Sequence, residues 1–439
     1  MSTAAPPSPT TRGQVFAWGL WDWASQSYDT VILTFVFSVY LTSAVSNDET
    51  AGTTQLGWTL TAAGGVMALI APVIGQRADA TGRRKLSTGV WSLLTVVSMA
   101  GLFLVETEQS FLLLGLVLLG LGSIFSNLAA VSYNAMLTQI STPANVGRIS
   151  GFGWAMGYVG GIVVLMFGYV GFIAGDGDVR GLFGVPTADG FNIRLVALVA
   201  AAWFLVFAIP LFLAVPETPP QAGRTQRLGV VGAYRKLVLD LRDLYRANPH
   251  TVYFLGASAL YRDGLAAIFT FGAVLAVQVY GIAADDVLIF GAVASVVSAV
   301  GAFGGGLLED QLGPKVVIMA SLLGMIGAAV VLLGVSGPGM FWVFGLFLTL
   351  FVGSAQSSSR TFLARLTPAG HEAQMFGLYA TTGRAVSFLA PMMVAIFTAL
   401  FGAVRAGIAG IVIVLALGAV ALALVRPPAR AGVTAATEP

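Results

Sequence analysis

The sequence predicts an all-α integral membrane protein of twelve transmembrane helices, arranged as two pseudo-symmetric six-helix bundles with both termini cytoplasmic. Three observations carry this. The 439 residues are 57% hydrophobic and only 10% charged, against roughly 25% charged in a soluble domain. Apolar runs of about 20 residues, the length that crosses a bilayer, recur along the chain. Basic residues cluster in alternate connections, as the positive-inside rule requires of cytoplasmic loops.

The apolar segments fall near 15–45, 55–76, 87–106, 109–138, 149–174, 192–215, 250–280, 285–307, 315–336, 339–365, 374–402 and 404–425. The loop after the second carries Arg77, Arg83, Arg84 and Lys85. The long connection after the sixth carries Arg224, Arg227, Arg235, Lys236, Arg242 and Arg246, and the tails carry Arg12, Arg426 and Arg430. The alternate loops hold Asp48, Glu49, Glu106, Glu108, Asp176, Asp178, Asp285 and Asp286. An even number of spans follows. The domain plan is a disordered tail over 1–14, an N-terminal bundle over 15–218, a linker over 219–249, a C-terminal bundle over 250–426 and a disordered tail over 427–439.

The linker holds an amphipathic stretch, VVGAYRKLVLDLRDLYRAN, which suits a helix on the inner membrane surface or one packed under the bundle. The N-terminus, rich in Pro, Ser and Thr, has no cleavage site and is not a signal peptide. Net charge is +2 and no basic tract occurs, so nucleic acid is not an expected partner. With no cysteine there is no disulfide, thiol nucleophile or Cys-based metal site. His250 and His371 both lie near loops. No phosphate-binding G-x-x-x-x-G-K-[ST] loop occurs, and no catalytic triad or metal cluster stands out. No cofactor, no metal and no enzymatic activity are expected.

The halves repeat. Gly75, Asp79 and Gly82 of GQRADATGRRK recur as Gly306, Asp310 and Gly313 of GLLEDQLGPK, 231 positions later. Thr142-Pro143-Ala144 recurs as Thr367-Pro368-Ala369, 225 positions later. Parallel six-helix repeats are a transporter plan with the substrate at midplane between them. In the first copy Asp79 can accept from backbone amides at a neighbouring helix N-terminus, Gly82 allows a turn, and Arg83 and Arg84 can pair with acids of the facing half. In the second copy Glu309 precedes Asp310, and Lys315 is what remains of the basic run.

The first segment, WGLWDWASQSYDTVILTFVFSVYL, holds two carboxylates, Asp22 and Asp29, seven residues apart and so on one helical face with Ser25 and Gln26 between them. Each costs about 2.5–3.5 kcal/mol at the centre of a lipid-facing helix, so that face must meet something other than lipid. Further charges fall inside segments: Arg262 and Asp263 in the seventh, Arg360 in the tenth, Arg384 in the eleventh. Gln356 lies one turn before Arg360, and Thr381 lies beside Arg384. Asn127, Tyr133 and Asn134 of the fourth segment and Tyr158 of the fifth can face them. The repeat sets Arg360 opposite Ala135 or Asn134, and Arg384 opposite Tyr158 or Val159. Arg262 and Asp263 can pair with each other or with the first segment. Trp18, Trp21 and Trp23 read as an interfacial belt, with at least one, Trp23, on the cavity wall. Glycines at 153, 157 and 161 form a small-residue stripe suited to close helix approach, and Pro391 is placed to kink the eleventh segment.

The Gly75–Lys85 loop resembles the hallmark loop of the major facilitator superfamily, which implies that its residues help hold an outward-facing state. WDWASQSYDTVILTFVF and the stretch Gly353–Arg384, GSAQSSSRTFLARLTP…FGLYATTGR, resemble the "unknown major facilitator" family, related to fungal vacuolar amino-acid effluxers. Asp29 stands where that family usually has an uncharged residue. The resemblance implies alternating access by two rocking halves, in the cytoplasmic membrane of a bacterium, as a monomer.

These observations converge on a proton-coupled secondary transporter moving a small zwitterionic or anionic solute such as an amino acid, in the efflux direction. Asp22, Asp29 and Asp263 are the candidate proton carriers, and Arg is the fork for a carboxylate. The other readings are an amphiphilic lipid, a drug or a sugar as cargo, a passive channel or facilitator, and a receptor that binds without transporting.

Overall fold

The computed structural model describes residues 11–217, 230–282 and 284–426. Most of the two expected tails, Arg224 and Arg227 of the linker, and Arg430 lie outside the described residues. Eleven helices among the described residues are long and apolar enough to cross a membrane. We label α1 (Arg12–Val45), α2 (Glu49–Thr81), α3 (Arg84–Gly101), α4 (Leu112–Ala135), α5 (Val146–Gly168) and α6 (Phe191–Ala214) in the first half. The linker forms α7 (Val230–Ala247). The second half has α8 (Pro249–Gln278), α9 (Ala284–Leu312), α10 (Pro314–Gly334), α11 (Pro338–Leu366), α12 (Glu372–Phe401) and α13 (Gly407–Ala423). The segment expected at 250–280 is the 30-residue α8, which packs among the others against α12 and α13.

Helix α1 starts earlier than expected from composition. Thr11 and Gln14 form a reciprocal capping box, Thr11 Oγ1 accepting from the Gln14 amide at 3.3 Å and Gln14 Oε1 from the Thr11 amide at 3.0 Å. Two backbone donors are satisfied there, so Arg12–Gln14 belong to the helix and not to the tail. Within α1, Ser27–Phe35 and Leu41–Val45 widen to i→i+5 turns.

The halves meet along α9 on α5 and α12 on α2, with α11 also on α5 and α12 on α4. The repeat shows in how the last helix of each half ends. Lys85 Nζ donates to the carbonyls of Phe212 and Val215 at 3.2 and 2.9 Å. Lys315 Nζ donates to those of Ala423 and Val425 at 2.8 and 2.7 Å. Each ammonium satisfies carbonyls that a helix C-terminus leaves without partners.

Two local features bear on the sequence reading. Helix α12 breaks at Ser387–Phe388, before Pro391, into Glu372–Val386 and Leu389–Phe401. Proline lacks the amide and its ring crowds the preceding turn, so the discontinuity lies just N-terminal to it. Helix α7 takes the bundle-packed alternative: Leu241 and Leu244 pack against the core, Tyr234 donates to the Leu69 carbonyl, and Asp240 meets both halves at once.

Candidate functional site

The seam closes at the end carrying the basic loops. Asp79 of α2 accepts from the Ala373 and Gln374 amides, at 3.1 and 2.8 Å, at the start of α12. Those amides have no partner inside their own helix, and the N-terminal dipole end favours an anion. Arg84 holds Asp79 at 2.7 Å and reaches Glu372 of the other half. Arg83 sits exposed in the turn, and Gly82 occupies the left-handed region at φ +67°, as does Gly313, at +90°, in the second copy. Gly75 lies where a Cβ would collide with the Ala373 carbonyl. Asp310 repeats the arrangement on α5, accepting from the Gly147 and Arg148 amides at 2.9 and 3.0 Å. Arg365 flanks it, 3.5 Å from Glu309 and 3.8 Å from Asp310. The cap is thus built twice, with different cations. Beneath the first copy, Asp240 of α7 accepts from Gln76 of α2 at 3.5 Å and Gln374 of α12 at 3.4 Å.

Deeper in the seam, Arg360 of α11 crosses into the first half. Its guanidinium lies 3.2 Å from Asp22 Oδ2 and 3.1 Å from Asn134 Oδ1, and donates to Ser150 Oγ at 3.0 Å and the Ser150 carbonyl at 2.5 Å. The Trp18 and Trp154 rings flank it, at 5.0 and 5.6 Å from their centroids. Tyr133 donates to Asp22 at 2.8 Å. Gly153 makes room: a Cβ there would stand 2.6 Å from Trp18, 2.8 Å from Asp22 and 2.9 Å from Arg360. Arg360 is buried and Asp22 half-buried, and their hydrogen-bonding capacity is largely used within the protein. Nearby, Tyr158 of α5 meets Gln356 of α11 across the seam.

Further toward the other end the charged groups are differently placed. Arg384 of α12 is exposed although it lies inside an apolar helix, and a charged side chain at such depth is expected to face the bundle interior or water and not lipid. Its hydrogen-bond contact is Asn127 Oδ1 at 3.4 Å. Asp29, half-buried on α1, makes no side-chain hydrogen bond or ion pair among the described residues. Thr381 is half-buried one turn before Arg384.

A family model described as "Vacuole effluxer Atg22 like" matches residues 141–430. The chain belongs to this family. The "Uncharacterized MFS-type transporter YxiO" of Bacillus subtilis is 25% identical to it over 414 residues, 93% of this chain and 94% of that one. Autophagy-related protein 22-1 of Neosartorya fischeri is 27% identical over 281 residues, 59% of this chain; the match spans 44% of the fungal protein. The fold is similar to the proton:xylose symporter XylE (TM-score 0.75, 14% identity, 94% and 96% of the two chains covered). It is also similar to a bacterial homologue of the iron transporter ferroportin in its outward-facing state (TM-score 0.66, 12% identity, 94% and 98% covered). This Atg22-like chain is therefore a major facilitator superfamily transporter and not an enzyme.

In this Atg22-like bundle several sequence-selected residues make contacts other than those expected. Trp23 stacks on Trp203 and Phe207 of α6, at 6.0 and 6.1 Å between centroids, inside its own half. Trp18 and Trp21 are 0% and 2% exposed and stack on Tyr133 at 4.7 and 4.1 Å, so they form core where a belt was expected. Gln26 accepts from Thr30 at 3.1 Å and lies along Gly157 and Gly161 of α5. Arg262 and Asp263 pair neither with each other nor with α1. Arg262 lies 3.8 Å above the Tyr379 ring and donates to the Tyr379 carbonyl at 3.1 Å. Asp263 accepts from the Ala390 amide at 2.6 Å. One dipeptide of α8 thereby grips both pieces of the broken α12.

Sequence reasoning missed Ser150, Trp154 and Glu372, which complete the seam. It also missed Tyr261, Ser359 and Tyr379, whose hydroxyls chain at 2.6 Å each from α8 through α11 to α12. Glu372 begins α12 three residues after the second Thr-Pro-Ala, and that position relative to the repeat was its one available signal.

Proposed function

We propose that this transporter carries a small amino acid or related zwitterion by proton-coupled alternating access. The carrying observation is that Arg384 is exposed inside an apolar helix while Asp29, also inside an apolar span, makes no side-chain hydrogen bond or ion pair among the described residues. A guanidinium is a two-pronged donor for a carboxylate, and a carboxylate is a partner for an ammonium. Asp22, Asp29 and Asp263 remain the proton carriers of this reading. On this reading the chain has twelve spans with both termini and the basic loops in the cytoplasm, a topology supported by the alternation of basic loops, and the closed seam is then the cytoplasmic gate with Arg384 on its outward side. Efflux is supported by the family's description as a vacuole effluxer. The cytoplasmic membrane of a bacterium is supported by the Bacillus relative aligned over nearly the whole chain. The unit of function is a monomer.

The test is counterflow in proteoliposomes. Vesicles loaded with an unlabelled amino acid should accumulate the labelled one, and an imposed pH gradient should drive it uphill. Asp29→Asn should abolish the pH-driven part. Absence of counterflow for every amino acid, with a lipid, drug or sugar exchanging instead, contradicts the reading.

A further inference from the structure

The two copies of the cap differ at the residue before the capping aspartate. The first copy has Ala78 before Asp79, and the second has Glu309 before Asp310. Both positions are buried, Ala78 at 4% exposure and Glu309 at 0%. Asp310 is satisfied as an anion, since it accepts from the Gly147 and Arg148 amides of α5. Glu309 has no such support. Its Oε1 is 3.5 Å from Arg365, a long contact, and Arg365 divides its charge with Asp310 at 3.8 Å. Its Oε2 is buried with no hydrogen-bond partner. Gly147 of the other half covers it: a Cβ there would lie 2.9 Å from Glu309 Cδ. Helices α9 and α11 advance together, Gly305 packing on Ser354 and Glu309 reaching Arg365. Ser358 is therefore level with Glu309, and its Oγ is likewise buried without a partner.

The other charged groups on helices packed against α9 turn elsewhere. Arg360 of α11 is engaged with Asp22, Asn134 and Ser150. Arg148 of α5 is exposed. Lys315 of α10 donates to the Ala423 and Val425 carbonyls. On α8, His250 accepts from the Arg426 amide, while Arg262 and Asp263 meet α12. An ionised Glu309 would thus hold a buried charge with one oxygen unpaired and a half share of one guanidinium, which is strongly unfavourable. The neutral acid avoids that penalty. When the halves part, α5 takes Gly147 away from α9, and water can then solvate the carboxylate.

We propose that Glu309 is a proton-binding site of the gate: its carboxyl is neutral while α5 lies on α9 and gives its proton to water when the seam opens. This adds a proton group to Asp22, Asp29 and Asp263. It rests on the alternating-access reading above and is independent of the cargo. The closed state then holds one more proton at this position than the open state. Acid favours the closed seam and alkali the open one.

The test uses the full chain in lipid nanodiscs, spin-labelled at Ala144→Cys and Ala369→Cys, which are exposed on opposite halves. Distances between the labels are measured at about pH 6 and about pH 9. The ratio of long to short distances should rise at least fivefold from acid to alkali. Glu309→Gln, which keeps shape and neutrality, should hold the short distance at both pH values. Glu309→Ala, which installs the residue of the first copy, should also lose the pH dependence and guards against a misfolded glutamine variant. Infrared difference spectra between the two pH values should show a protonated-carboxyl band that vanishes in both variants, which a packing role alone would not produce. If the distances do not respond to pH, or respond in both variants as in the unaltered chain, the inference is overturned. Counterflow of an amino acid by the same proteins tests the earlier reading separately: counterflow with a pH-insensitive seam removes this inference alone.

Discussion

Arg360 of α11 and Asp22 of α1, 338 positions apart in the chain, meet at 3.2 Å across the seam between the two halves. Both halves must separate here for the seam to open, so this contact belongs to one state of the transport cycle. Removing one partner of a buried pair leaves the other uncompensated, at roughly 3–5 kcal/mol. Asp22→Asn should lower thermal stability by about that amount, and Asp22→Asn with Arg360→Gln together should recover part of it. A double-mutant cycle by chemical denaturation in detergent checks this; strictly additive losses would mean that the two groups are not coupled.

Gly153→Ala should mimic the loss of that pair without removing a charge. The new methyl would stand under 3 Å from Trp18, Asp22 and Arg360 at once, and overpacking of this kind costs about 1–3 kcal/mol. The expected result is a folded protein with transport reduced at least tenfold. Normal transport in this variant would show that the seam does not need so close an approach.

The cap at Asp79 should behave as a gate latch. Asp79→Asn removes a charged acceptor from two α12 amides and a partner from Arg84. It should raise the reactivity of single cysteines placed along the closed seam, for example at Ser357, by about tenfold. Because the chain has no native cysteine, labelling is read without background. Asp240→Ala, which loses weaker contacts to Gln76 and Gln374, should give the same change at a smaller magnitude.

Asp263→Asn should loosen the second piece of α12. A capping carboxylate is worth about 0.5–2 kcal/mol, so the expected loss is within that range and confined to Leu389–Phe401. Hydrogen exchange should show faster exchange there, at Ala390 above all, with α8 itself unchanged. Uniform protection across the variant would remove Asp263 from that role.

Much of this was legible in the sequence. Apolar run length gave an all-helical membrane protein, of which eleven helices long and apolar enough to span appear among the described residues, and the repeat located both caps before any contact was known. Asp79 at a helix N-terminus followed from charge and dipole alone. What was not legible depended on rotation about helix axes. Spacing put Asp22 and Asp29 on one face, but the wide turns from Ser27 onward shift the phase of α1. Asp22 meets Arg360 and Tyr133, while Asp29 has no side-chain hydrogen bond or ion pair among the described residues. Trp23 lies one residue from Asp22 and turns instead to α6, which composition cannot show. Arg262 and Asp263 could not be assigned because Arg262 meets the ring and carbonyl of Tyr379 and Asp263 meets an amide freed only where α12 breaks.

Water should reach the level of Arg384 and Asp29 and stop before Arg360. Single-cysteine variants Arg384→Cys and Ser150→Cys test it most directly, through their rates of reaction with a small membrane-impermeant thiol reagent. Position 384 should react at least tenfold faster than position 150, and an imposed Asp79→Asn change should bring the two closer. Equal rates in the otherwise unaltered chain, or faster reaction at position 150, would contradict the account.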